Sequence, residues 1–281
     1  MSDSKVTLNE KLGLAADSRT LIVNADDLGF CHSANVGVYE CLRSGTVTSA
    51  SLMVPCPWSR AAAARYRGED IGVHLTLNAE HELYRWGPIT QAPSLLDGDG
   101  GFPRTVEDFW DHADLDETRR ECRAQIERAI LWGFDVSHLD THMVTLQLRP
   151  EFFDIYLELA LEFQLPLTMV GRQLEGYTGF PARQLAEEAG VIFCDELLDL
   201  PHGIGDEELT KQLRDLRPGV TEVHFRPAED SSELRALAED WKQRVDDYEL
   251  VGEGGRFARI AQGAGVNLIG FRPLRDLARS L

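Results

Sequence analysis

The sequence predicts an α/β fold: a parallel sheet, open or closed into a (β/α) barrel, with the barrel preferred. Three observations carry this. Short runs of β-branched and apolar residues alternate with amphipathic helical patterns over about seven units, and such alternation builds parallel sheets. No composition break, internal repeat or low-complexity segment interrupts the series. Ionisable residues recur at or just beyond the ends of the apolar runs, where α/β folds place ligands. We assign residues 20–281 to one barrel-like domain and residues 1–19 to an N-terminal extension.

Taken in order, Leu21, Ile22 and Val23 form a buried-strand run that stops at Asn24-Ala25-Asp26-Asp27. Ser33 reads as the N-cap of a helix through Val36, Tyr39, Glu40 and Leu42 that ends at Gly45. Residues 47–53 form a second strand. An alanine-rich helix from Pro57 ends near Gly68, and residues 71–77 form a third strand. Residues 78–105, rich in Gly, Pro and Asp and carrying Tyr84 and Trp86, read as a long loop of the kind that is a lid, a binding loop or disordered. Residues 116–133 show helical i, i+3, i+4 spacing at Cys122, Ile126, Ala129 and Ile130, and lead into a strand at residues 136–140. The rhythm continues with a helix after Pro150, a strand at 167–170, a helix after Pro181 and a strand at 191–193. A helix from Asp206 precedes a strand at 220–225. Helices around 234–245 and 274–281 flank a last strand candidate at 266–269.

Of the 281 residues, Lys and Arg number 28 against 47 Asp and Glu, for a net charge of −19. Such a surface repels DNA, RNA and anionic membranes, which excludes them as expected partners. No apolar stretch approaches the ~18 residues that span a bilayer. The first twenty residues have no signal-peptide core, so a cytoplasmic protein is expected. Five scattered cysteines with no C-x-x-C pair suggest reduced thiols rather than a zinc knuckle or a disulfide framework. A homodimer is the default expectation for the assembly.

The strand ends carry the chemistry. Asp26 and Asp27 close the first strand, and His74 lies in the third. His138, Asp140 and His142 lie at or just after the fourth, and His224 and Arg226 close a late one. Singly, each has an ordinary explanation: an Asx-turn at Asp26-Asp27-Leu28-Gly29, a hydrogen-bonded core histidine at 74, a turn at 138–142. Together, one Asp and two His from different strand ends can converge on one ion and leave coordination positions open, as catalytic sites require. A second carboxylate beside the ligand then serves as base, and the cation offsets the repulsion between adjacent carboxylates.

At these residues the sequence resembles the YdjC-like (ChbG-type) carbohydrate deacetylases. The matching segments are residues 23–29 (VNADDLG), 45–53 (GTVTSASLM), 72–77 (GVHLTL) and 138–142 (HLDTH). The resemblance implies a (β/α) barrel-like fold related to polysaccharide deacetylases, a divalent metal such as magnesium or zinc, and removal of an N-acetyl group from a small carbohydrate. Carried over residue by residue, it implies Asp27, His74 and His142 as metal ligands and Asp26 as the general base. His138 is then either a supporting or a structural residue.

Two departures from the family pattern stand out. Met143 and Val144 follow the HLDTH element where many relatives carry further histidines. Arg226 stands where relatives have the His of an H-P-G-like motif that resembles a general acid. Arginine does not release its proton at neutral pH, so Arg226 would act as a fixed charge on an oxyanion or an anionic substrate group. His224, two residues earlier on the same strand face, becomes the candidate donor to the leaving amine. The rival readings are a metal hydrolase for another ester or phosphorylated substrate, and a carbohydrate-binding relative without turnover. His32 is a candidate pocket residue, and Tyr84, Trp86 and Trp58 are candidates for stacking on a sugar.

Overall fold

In the computed structural model, which describes residues 6–280, a parallel sheet curls into a barrel-like ring with helices packed around its outside. Its strands are β1 (Arg19–Leu28), β2 (Ser49–Leu52), β3 (Ile71–Leu75), β4 (Val136–Thr141), β5 (Glu196–Leu198), β6 (Gly219–Phe225) and β7 (Asn267–Leu268). The order is β4-β3-β2-β1-β6-β5. One edge of β1 pairs with β6 from Arg19↔Gly219 to Ala25↔Phe225. Its other edge is shared: β7 takes Thr20 and Leu21, and β2 takes Asn24, Ala25 and Leu28.

Beyond β4 the ladder continues through single bridges, Leu139 to Leu167 and Leu167 to Phe193. The chain then runs from Phe193 into β5, so isolated bridges close this side of the ring. The strands expected at 167–170 and 191–193 are reduced to these bridges because the backbone leaves the ladder quickly. Leu167 donates to the Ile192 carbonyl, but the Val170 N–H is taken by the Gln147 side chain at 2.7 Å.

Three further expectations are revised. The first long helix, His32–Ser44, is capped by Cys31 rather than Ser33, whose hydroxyl meets Ser231 Oγ at 2.6 Å instead. The expected helix at 234–245 is two, Ser232–Leu237 and Trp241–Val251. The 78–105 loop is packed: Trp86, Leu95 and Phe102 are buried. Asn78 pins its root by donating to the carbonyls of Pro103 and Thr105 and accepting from Thr145 Oγ1 at 2.6 Å.

Strand alternation divides the side chains. Leu21, Val23 and Ala25 of β1 face outward into the main core, whereas Ile22 and Asn24 face into the ring. The N-terminal end of the ring is apolar, built from Ile22, Ile192, Cys194, Val220, Phe271 and Leu274. Leu8 and Leu12 pack against this cluster. Buried Asn9 donates to the Ser18 carbonyl at 2.7 Å and accepts from Thr20 at 3.2 Å, so the described part of the extension is knit to the barrel.

One layer up, the His138 ring lies flat on Phe271, with centroids 3.9 Å apart and planes at 20°. It occupies the space over Gly72, where a Cβ would come within 2.5 Å of His138 Nδ1. His138 therefore packs the ring interior beneath the site. Burial pushes its pKa down to about 3, so it is neutral in the folded protein.

A neutral buried histidine makes stability depend on pH. Between the unfolded pKa, about 6.5, and about 3, the unfolded chain binds a proton that the folded chain refuses. This contribution is complete above the upper value and lost as pH falls, at about 1.4 kcal/mol per pH unit. His138→Gln is expected to flatten the fall in unfolding free energy between pH 6.5 and 5, read by urea titration of the metal-stripped protein. An unchanged slope would show that His138 is not held neutral.

Candidate metal centre

Consecutive residues of a strand point to opposite faces, yet Asp26 and Asp27 both reach the C-terminal mouth of the ring. The backbone explains this: Asp27 has φ 65°, and the β1–β2 register shifts between Ala25 and Leu28. This bulge in a left-handed residue turns the second carboxylate back toward the site. The Gly29 that follows, at φ 95°, completes the turn, and its N–H donates to Asn35 Oδ1 at 2.7 Å.

Asp27, His74 and His142, all buried, form one cluster. Asp27 Oδ1 lies 3.5 Å from His74 Nε2 and 3.7 Å from His142 Nδ1, and the two imidazole nitrogens are 3.2 Å apart. Donors bound to one ion at about 2.1 Å stand roughly 3.0–3.4 Å from each other, so the triangle is close to a metal's size.

The outer atoms of these side chains are all occupied. His74 Nδ1 is 2.5 Å from Asp140 Oδ2, and His142 Nε2 is 2.9 Å from Glu80 Oε2. Each carboxylate holds the proton on the outer nitrogen, which leaves Nε2 of His74 and Nδ1 of His142 as inward lone pairs. Two acceptors facing each other at 3.2 Å cannot bond to one another; a cation between them satisfies both. The donor set therefore fits a divalent metal. Without one, burial opposes charge on His74, but Asp140, Asp26 and Asp27 outweigh it and raise its pKa to about 9, so a proton takes the cation's place.

Asp27 uses its second oxygen differently. Oδ2 accepts from Nη1 of Arg244 at 2.7 Å, and Arg244, 2% exposed, also donates from Nε to Asp240 Oδ1 at 2.9 Å. Burial alone would raise the Asp27 carboxyl; Arg244 and the two histidines bring it down to about 2. Burial likewise disfavours the charged form of Glu80, but His142 holds it well below the usual carboxylate range. Arg244 and Glu80 were not among the sequence candidates. Glu80 lies in the long loop, and Arg244 sits on a helix far along the chain with no motif around it.

The second cluster is Asp26, Asp140 and His224. Asp26 accepts from Asn24 Nδ2 at 2.8 Å and from Ser51 Oγ at 3.3 Å, and both of its oxygens lie 3.0 Å from His224 Nδ1. His224 Nε2 is 3.0 Å from Glu222 Oε1, at ion-pair distance but without hydrogen-bond alignment. Burial opposes protonation of His224, yet Asp26 and Glu222 push its pKa well above the ordinary value. Asp140 is fixed by Thr168 Oγ1 at 2.7 Å and Ser51 Oγ at 3.1 Å, and its contact with His74 Nδ1 links the two clusters.

Arg226 lies just beyond the end of β6, partly exposed. Its side chain lies 3.3 Å from Asp240 and its backbone N–H donates to Asp247. The site opens into a cleft of about 1820 Å³, lined by Asp26, Asp27, His74, His142, His224 and Arg226 among others. His32 does not reach it. Neither do the aromatic candidates: Tyr84 donates to the Phe30 carbonyl, Trp86 donates to that of Asn78, and Trp58 packs on His32. Each is held by packing, the usual fate of a large ring with a satisfied polar tip.

The ligand assignment predicts that zinc binds the stripped protein at one equivalent. Asp27→Ala, His74→Ala and His142→Ala are each expected to abolish that binding, measured by metal analysis after dialysis. Full occupancy in the His74 variant would sink the assignment.

Comparison with known proteins supplies the family. The family model described as YdjC-like protein matches residues 20–255. A carbohydrate deacetylase from Thermus thermophilus is 37% identical over 249 residues, covering 86% of this chain and 89% of its own. One from Geobacillus stearothermophilus is 30% identical over 263 residues, covering 92% and 99%. The crystal structure of an Enterococcus faecalis V583 protein, provisionally named for cellobiose-phosphate cleavage, superposes with a TM-score of 0.81 at 26% identity over 92% of this chain and 99% of its own. The family model spans most of the chain and the relatives match along nearly their whole length, so the chain belongs to the YdjC-like protein family.

Proposed function

We propose that the protein is a divalent-metal-dependent hydrolase that removes the N-acetyl group from an amino sugar or small glycoconjugate. The carrying observation is the buried Asp27–His74–His142 triangle with its facing lone pairs, open to a cleft on one side. The names of the relatives, carbohydrate deacetylase, supply the substrate class. A bound divalent ion would supply Lewis-acid polarisation of the amide carbonyl and a water easier to deprotonate.

The chain's own residues divide the remaining work. Asp27 commits one oxygen to the ligand triangle and the other to Arg244, so it is not free to act as a base. Asp26 lines the cleft and lies outside the ligand triangle; Asn24 and Ser51 both bond its Oδ1, so the other oxygen, shared only with His224, takes the proton of the attacking water. His224, holding a proton between Asp26 and Glu222, supplies one to the departing amine. Arg226, two residues on and just past the end of β6, places a fixed positive charge in the cleft wall. Asp140 and Glu80 act through the histidines they orient.

A phosphorylated sugar is the second reading. Arg226 in the cleft favours it, as does the name carried by the Enterococcus faecalis protein. Five free, buried cysteines accord with a cytoplasmic setting, and among the described residues no helix is long and apolar enough to cross a membrane.

Acetate release from a panel of N-acetylated sugars, free and phosphorylated, tests the proposal. Asp26→Asn is expected to keep its zinc and lose at least about a hundredfold in rate, the usual weight of a general base. His224→Ala is expected to remove one limb of the pH–rate profile, whereas Arg226→Ala raises KM for phosphorylated substrates and leaves the profile's shape unchanged. A His224→Ala profile identical to wild type would remove His224 from the proton path.

A further inference from the structure

The ligand triangle is held from outside by three charged residues, and one differs in sign. His74 leans on Asp140 and His142 on Glu80, both carboxylates, whereas Asp27 leans on Arg244, a buried cation. A carboxylate behind an imidazole makes the ring a stronger donor. A guanidinium behind a carboxylate does the reverse: it draws electron density from Asp27 and repels any cation that Asp27 holds.

Arg244 is more than packing in this place. Its guanidinium lies 4.9 Å over the Phe30 ring and is fixed by Asp27 on one side and Asp240 on the other. Asp240 in turn lies 3.3 Å from Arg226 in the cleft wall. The result is an alternating chain of charges, Arg226–Asp240–Arg244–Asp27, that runs from the cleft surface to the ligand triangle.

We propose that Arg244 is a positioning residue that holds Asp27 to a single donor oxygen and deliberately weakens its grip on the metal, with Asp240 setting how much of the Arg244 charge Asp27 feels. The proposal rests on the metal reading of the triangle. It makes opposite predictions for two neighbours in one network. Removing the cation frees both Asp27 oxygens and strengthens metal binding. Removing Asp240 leaves Arg244 less neutralised and weakens metal binding. A merely structural Arg244 predicts loss in both cases.

The test uses the stripped full-length protein and zinc alone, titrated against a competing chromophoric chelator. Arg244→Met is expected to bind zinc on the order of tenfold more tightly than wild type, and Glu80→Gln, which loses a carboxylate behind His142, more weakly by a similar factor. Asp240→Asn is expected to bind several-fold more weakly. Arg244→Lys keeps the charge without the fork that serves both carboxylates, and is expected to stay near the wild-type affinity.

Metal-free Arg244→Met leaves a buried carboxylate unpaired, so its melting point is expected to drop and zinc to restore more of it than in wild type. If Arg244→Met does not fold, Arg244→Gln, which removes the charge but keeps a polar side chain, carries the test: tighter zinc binding than wild type supports the proposal, and unchanged or weaker binding overturns it. Unchanged or weaker zinc binding in folded Arg244→Met also overturns it. Failure of the wild-type protein to bind zinc would instead remove the metal reading itself.

Discussion

Two carboxylates from consecutive residues of one parallel strand must face the same way, and the site depends on how the chain achieves this. The pleat would send Asp26 and Asp27 to opposite faces. The left-handed backbone at Asp27 and the bulge against β2 turn Asp27 inward while Asp26 stays in register with the ring interior. A non-glycine residue at positive φ is strained, and here the surroundings hold it: Arg244 on one oxygen, and the Gly29–Asn35 hydrogen bond just beyond. Without that turn there is one carboxylate at the mouth of the ring, and no division of labour between two of the kind proposed above.

Charge balance follows from this placement. Asp26, Asp27, Asp140, Glu80 and Glu222 crowd a small, largely buried volume, and none can stay ionised there without compensation. Arg244 answers Asp27, His224 stands between Asp26 and Glu222, and His74 and His142 answer Asp140 and Glu80. Burial raises the Glu222 carboxyl above its usual range despite the nearby His224. The inward faces of His74 and His142 are where a positive charge is still wanted. The fit of the site to a cation thus comes as much from the outer carboxylates as from Asp27, His74 and His142 themselves.

The ring interior is stratified to make this tolerable. Apolar side chains close the N-terminal end, neutral His138 fills the layer above Phe271, and hydroxyl and amide groups from Ser51, Asn24 and Thr168 lie between that layer and the carboxylates. Gly72 belongs to the same arrangement, since a side chain there would collide with the His138 ring. The short third strand thus carries two site features in three residues: the absent side chain at 72 and the inward imidazole at 74.

The sequence by itself determined the parallel α/β class, the positions of most strands and helices, and which strand-end residues, Asp26, Asp27, His74, His142 and His224, gather at the cleft. These were legible because each lies within or next to a strand, where alternation and the strand's end fix what faces the site. It did not determine that Asp26 and Asp27 share a face, since strand periodicity argues for the reverse and only the φ of Asp27 settles it. It did not reveal Arg244 or Glu80, because both reach the site through tertiary contact. Arg244 is 217 residues from its partner Asp27, and Glu80 is 62 from His142. Nor did it show that His138 packs on Phe271, two residues from Asp140 on the same strand face but one layer deeper. Local pattern names the atoms that a strand presents. Depth within the ring, and the charge that stands behind each ligand, exist only once distant segments meet.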